Sequence, residues 1–260
     1  MLEELGQNQK LTFPVKQSSK SRFSGKMRYW WSWLVAGTLI LLVAGPAMVF
    51  TSIINRRMWL FPLCKWGAET WLRACGASVT VRGTEHLDPN ISYVFASNHR
   101  SYLDTATLFF YAGQKMGLVA KKELLKVPIF GPGMSYVNII AIDRSNPELA
   151  LSSMAKAKQV MDDGYSFGLF VEGTRAMPGE LLPFKKGAFH LAFQTEAPVV
   201  PVAIKNTDAM MGKRTGVAYS GEIEMIILPP IQTAGLDPEV DLQRVLKESR
   251  AAIAAELAKP

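Results

Sequence analysis

At 260 residues the chain can bury one sizeable core without help from disulfides or metals. Its net charge of +7 points to an anionic partner, but with 48% hydrophobic residues, no nucleic-acid motif and no basic repeat interleaved with aromatics, nucleic acid gives way to a lipid surface or a phosphorylated substrate. Cys64 and Cys75 have no second pair and no histidine beside them, so they read as packing residues of a reducing compartment, and no metal site is visible.

Residues 1–26, polar and rich in Lys, Ser and Gln, are expected to form a flexible basic tail. Residues 27–76 read as a membrane-associated helical segment. No charge falls between Tyr29 and Asn55, and Trp30-Trp31-Ser32-Trp33 leads into Leu34 to Phe50, more than the roughly 18 apolar residues that mark a membrane segment. A secretory signal would have a shorter apolar core and a small-residue cleavage site. Lys16, Lys20, Arg22, Lys26 and Arg28 precede the run and Arg56, Arg57 and Lys65 follow it, so both flanks resist translocation. Gly45-Pro46 breaks the pattern, since proline removes a helical hydrogen bond, and a kinked or re-entrant segment is expected there. From Phe61 to Cys75, Lys65, Glu69 and Arg73 share one helix face while Phe61, Cys64, Ala68, Trp71, Leu72 and Cys75 share the other. Such an amphipathic helix lies in a membrane interface or packs on the soluble domain.

From 77 to 260 short apolar strands alternate with helical patterns, which predicts an α/β domain: a mixed, mostly parallel sheet flanked by helices. The strands are expected at Ser78 to Arg82, Ser92 to Ala96, Gly117 to Ala120, Asn138 to Ile142, Ser166 to Val171, Val199 to Ile204 and Glu222 to Leu228. Most are too apolar for a half-exposed sheet, so helices should cover both faces. Asn146-Pro147-Glu148 opens a helix running to about Asp163, and another runs from about Asp241 to Ala258.

Within that pattern Ser97-Asn98-His99-Arg100-Ser101-Tyr102-Leu103-Asp104 follows a strand and opens a helix. On one continuous helix His99 and Asp104 would point about 140° apart, so they meet only if His99 lies in the preceding turn. Asp104 would then hold one imidazole nitrogen and leave the other to take a proton from a hydroxyl. The alternative is structural: Ser101 and Asp104 have the spacing of a capping box. A third reading makes Ser101 a hydrolase nucleophile, but no Gly-x-Ser-x-Gly elbow surrounds it.

Phe170-Val171-Glu172-Gly173-Thr174-Arg175 also follows a strand and supplies a turn glycine, a hydroxyl and a guanidinium, groups suited to a phosphate monoester. Lys121 and Arg144 follow two further strands, either as cations converging on the same sheet edge or as solvated surface charges.

The order of these pieces resembles the glycerolipid acyltransferase family. The pattern is His99 to Asp104, the arginine-ended strand Ile139 to Arg144, the Glu172 to Arg175 box, Leu182-Pro183-Phe184 before the basic turn Lys185-Lys186-Gly187, and the proline-containing strand Val199-Val200-Pro201-Val202. Arg100, where many members carry a neutral residue, and Ala141, where phenylalanine is frequent, depart from it. The resemblance implies that His99 and Asp104 are catalytic, and that Glu172, Gly173, Thr174 and Arg175, with Arg144 and Lys121, bind a glycerol phosphate. It further implies acyl transfer from acyl-CoA or acyl carrier protein to the sn-2 hydroxyl of 1-acylglycerol-3-phosphate, without a cofactor, on the cytoplasmic face of an inner or plasma membrane. Another lysolipid acceptor, or a non-enzymatic peripheral lipid-binding role, are the alternatives.

Overall fold

The computed structural model describes residues 9–15, 21–56, 59–112, 115–142 and 147–259. Elements are numbered in chain order, the two shortest α-helices being α5 (Phe130–Gly133) and α8 (Thr207–Met211). Leu11–Thr12 forms β1, which pairs antiparallel with β7 (Glu180–Leu181). The remaining strands build one seven-stranded sheet: β2 (Ala77–Arg82), β3 (Val94–Ser97), β4 (Met116–Lys121), β5 (Ile139–Ile142), β6 (Ser166–Phe170), β8 (Val199–Lys205) and β9 (Gly221–Ile227), ordered 2-9-8-3-6-4-5. All neighbours run parallel except β8 and β9, so the sheet is mixed and mostly parallel, as its apolar strands require.

Strand alternation divides the core in two. Val94 and Ala96 of β3 and Phe167 and Leu169 of β6 face a layer formed by α6 (Pro147–Asp162), α7 (Gly187–Thr195) and α9 (Pro238–Ala258). Phe95 of β3, with Val200, Val202 and Ile204 of β8, faces α3 (Leu60–Ala74) and α4 (Leu103–Tyr111). Helix α9 starts earlier than its apolar stripe suggests because Asp237 caps it, accepting from Glu239 N–H at 2.9 Å, with Pro238 in the first turn. Its stripe of Leu242, Val245, Leu246, Ile253 and Leu257 is buried.

The N-terminal region differs from expectation in two respects. Residues 9–15, within the expected tail, are anchored: besides the β1–β7 pair, Phe13 N–H donates to Gly179 O at 2.6 Å and Lys10 pairs with Glu180 at 2.8 Å. Two residues of strand carry no periodicity, so only the partner reveals them. The boundary placed after residue 26 also falls inside α1 (Arg22–Thr38), which starts behind a Ser21 cap. Second, Gly45-Pro46 does not break the apolar run. Helix α1 passes through a π-helical stretch, Leu39–Ala44, into α2 (Gly45–Ile53), giving 32 continuous residues from Arg22 to Ile53. The Gly45 amide reaches back five residues to Ile40 O, and this wider turn accommodates the proline that follows. The reversal comes after the run, where Asn55 takes a left-handed conformation (φ 52°) ahead of α3. Trp71 of α3 then meets Trp33 of α1 at 5.9 Å between ring centroids.

Candidate active site

The central strands β3 and β6 are parallel neighbours, so the segments leaving their carboxyl ends emerge side by side, where open α/β sheets place their ligands. From β3 comes Asn98-His99. Asn98 is buried and bonds both main-chain groups of Ile204 on β8, its amide donating to the carbonyl at 2.9 Å and its oxygen accepting the N–H at 2.8 Å. That pair fixes the exit direction of the chain just before the histidine.

His99 lies in the turn and Asp104 in the first turn of α4, the arrangement their spacing demanded. One carboxylate oxygen of Asp104 accepts from three donors: His99 Nδ1 at 2.9 Å, Arg100 N–H at 2.6 Å and Ser101 N–H at 2.8 Å. Ser101 Oγ accepts from Leu103 N–H at 3.2 Å, and the Ser101 N–H bond to Asp104 is the carboxylate half of a capping box, so one carboxylate both braces the turn and fixes the imidazole. Ser101 donates its hydroxyl proton to Met211 O at 2.7 Å and is fully buried, which removes it as a nucleophile. With Nδ1 bound to the carboxylate, Nε2 is the nitrogen left to accept a proton. The ring stacks on Phe170 at 4.0 Å and 17°, fixing its plane, and its side chain keeps 15% exposure beside an Asp104 with none.

From β6 comes the second segment. Gly173, with φ 73°, makes a turn closed by its N–H to Phe170 O at 3.0 Å. Glu172, expected among the substrate-binding residues, points inward instead: it is 2% exposed, and its two oxygens accept from His99 N–H at 2.6 Å and Leu182 N–H at 2.7 Å. Burial pushes its carboxyl up to about 8, against the opposing pull of those two N–H groups and of the Arg100 charge. Glu172 therefore ties the histidine turn to the loop after β6, and Ala176 N–H to His99 O at 2.7 Å closes the same joint from the other side.

Thr174 is exposed and Arg175 half-buried, facing outward. The Arg175 guanidinium lies 3.6 Å above the Tyr102 ring centroid. Lys213, which sequence reasoning missed, donates from its ammonium to the Arg175 carbonyl and pins the loop from a distant segment. Lys121 ends β4 on the same sheet edge but is 63% exposed, with Glu123 at 3.8 Å; the structure does not bring it into the cluster. Arg144 lies outside the described residues. Arg100 turns away from His99: it is buried, donating from Nε to Glu180 O at 2.7 Å and pairing with Asp208 at 3.4 Å, a brace for the β7 turn rather than a ligand group.

Residues 78–205 match the family model described as Acyltransferase. The chain is 31% identical over 224 residues to mouse (Mus musculus) 1-acyl-sn-glycerol-3-phosphate acyltransferase alpha, covering 85% of this chain and 76% of the mouse protein. Against the human (Homo sapiens) protein of that name it is 36% identical over 165 residues, covering 63% and 58%. Against 1-acyl-sn-glycerol-3-phosphate acyltransferase of Limnanthes alba it is 38% identical over 168 residues, covering 64% and 58%. The chain thus spans somewhat over half the length of the human and Limnanthes proteins. Its fold matches the crystal structure of the 1-acyl-sn-glycerophosphate acyltransferase PlsC from Thermotoga maritima with TM-score 0.77 at 21% identity, covering 92% of this chain and 98% of the other.

Proposed function

The chain belongs to the acyltransferase family, and from that premise we propose that it acylates the sn-2 hydroxyl of 1-acylglycerol-3-phosphate, giving phosphatidic acid. The observation that carries this reading is an imidazole fixed through Nδ1 by a buried carboxylate, beside an outward-facing arginine, at the carboxyl ends of parallel strands. His99 Nε2 takes the hydroxyl proton as the oxygen attacks the thioester carbonyl. The carbon–oxygen bond forms, the carbon–sulfur bond breaks, and the proton passes to the departing thiolate. Asp104 keeps the imidazole in the right tautomer and offsets its transient charge. The thioester is already activated, so no acyl-enzyme and no cofactor are needed, and positioning the hydroxyl is the main task. Arg175 grips the acceptor phosphate with its planar fork, assisted by Thr174 and the Gly173 turn. Glu172 serves by holding the loop.

The reaction belongs to the cytoplasmic face of an inner or plasma membrane in this reading. Trp30, Leu34, Leu42, Phe50 and Ile53 are exposed along the long helix, an apolar surface that a bilayer would cover. Both ends of that helix touch the catalytic domain. Gly25 packs against the Tyr219 ring, and Ser52 Oγ lies 2.6 Å from the Tyr136 hydroxyl. A helix held at both ends by one domain lies along it, so a full crossing would carry the domain into the bilayer. Exposed Leu125, Val127 and Phe130 beside Lys121, Lys122 and Lys126 extend the same surface and suit anionic headgroups.

Purified protein in mixed micelles, given a lysophospholipid panel with acyl-CoA and with acyl carrier protein thioester, tests the proposal. Phosphatidate formed from 1-acylglycerol-3-phosphate, lost in His99→Ala, is the expected result. Lipid binding without ester formation would instead establish the peripheral lipid-binding role.

A further inference from the structure

We infer that the ring face of Tyr102, braced by Trp33 of the long apolar helix, positions the Arg175 guanidinium for the acceptor phosphate. This rests on the proposed role of Arg175. Among the described residues no carboxylate pairs with that guanidinium; its partner is the Tyr102 face, 3.6 Å from guanidinium carbon to ring centroid. The Tyr102 ring in turn meets Trp33 edge-on, 5.5 Å between centroids at 87°. Trp33 is itself held by Tyr29 at 6.1 Å within α1 and by Trp71 of α3 at 5.9 Å. Four aromatic rings from the two apolar helices and the histidine turn thus end on one cation.

The geometry suits a positioning role. A cation above a ring uses its face, whereas phosphate oxygens are bound by N–H groups in the guanidinium plane, so the two contacts do not compete. An unpaired arginine would sample many rotamers, and fixing its plane in advance removes that cost from binding. Tyr102 sits between His99 and Asp104 in sequence, so the stack sets the span between the phosphate grip and the proton-accepting nitrogen. The hydroxyl of Tyr102 is not needed for this, only its ring.

The test compares Tyr102→Ala, Tyr102→Phe and Trp33→Ala with wild type, using a short-chain, water-soluble 1-acylglycerol-3-phosphate so that membrane binding does not enter. Equilibrium binding of the acceptor and steady-state kinetics are both measured. Tyr102→Ala should weaken binding and raise the acceptor KM about tenfold, within the range of a partly desolvated cation–ring contact, with kcat and donor KM changed less. Tyr102→Phe should restore both, and Trp33→Ala should fall between. Unchanged acceptor binding in a folded Tyr102→Ala protein, or a Phe variant as poor as the Ala one, would overturn the inference. Wild-type protein that binds the acceptor but never acylates it would overturn the proposed reaction instead, and the binding comparison would still decide the stack.

Discussion

The two segments that meet at the site are ordered in opposite ways. The histidine turn after β3 has a local centre, Asp104 gathering the Arg100 and Ser101 amides and the His99 ring within six residues, to which Asn98, Ser101 and the His99 main chain add ties from other segments. The loop after β6 has the Gly173 turn but otherwise depends on remote groups. These are the Glu172 bond to the His99 amide, the Lys213 ammonium on the Arg175 carbonyl, and the Tyr102 ring under its guanidinium. Damage to the first segment should therefore abolish chemistry while sparing the fold, whereas damage to the second should loosen substrate binding or stability.

The largest effect is expected from His99→Ala, which removes the proton acceptor and should lower kcat by about 10²-fold or more with an unchanged melting temperature. A folded variant with near-normal turnover ends the role assigned to His99. Next comes Asp104→Asn. Its oxygen can still accept the two turn amides, so stability should hold within about 1 kcal/mol, while the lost charge should lower turnover by at least about tenfold. If turnover is intact and only the melting temperature falls, Asp104 is a helix cap alone.

Glu172→Gln sharpens the contrast because one of the two amides would face an NH2 group, a donor against a donor, costing about 1–3 kcal/mol. The comparison with wild type is also pH-dependent. The folded-state pKa of Glu172 is raised to about 8, chiefly by burial, above the ordinary 4.5. The folded protein therefore holds a proton that the unfolded chain releases in that window. Its stabilising contribution is complete below 4.5 and is lost as pH rises through 8. Melting curves from pH 5 to 9 should show the wild-type advantage over Glu172→Gln shrinking toward the alkaline end; a constant gap would contradict a proton on Glu172. The smallest change is expected for Arg175→Lys, which keeps the charge but loses the paired bonds and the flat stacking surface. Acceptor KM should rise several-fold, up to about tenfold, and donor KM should hold. Identical acceptor kinetics would place Arg175 outside the site.

The same contrast decided what was legible beforehand. Seven strands were readable because each is a short apolar run bounded by turns, and the meeting of His99 with Asp104 followed from their separation along a turn and helix start. The choice between cap and orienter could not be made from spacing, since one oxygen does both. The orientation of Glu172 was not legible because a charged residue after a strand carries no sign of which way it points; only the apposition of β3 and β6 puts the His99 amide within its reach. Pro46 announced a break, but the π-helical turn before it absorbed the missing hydrogen bond. Local pattern thus determined the strands, the meeting of His99 with Asp104 and the apolar helix, each written in residues a few positions apart. Tertiary structure alone decided the Glu172 tie, the Lys213 pin, the anchoring of β1 and the aromatic stack under Arg175, because each joins groups separated by dozens of residues whose encounter depends on strand order and helix packing.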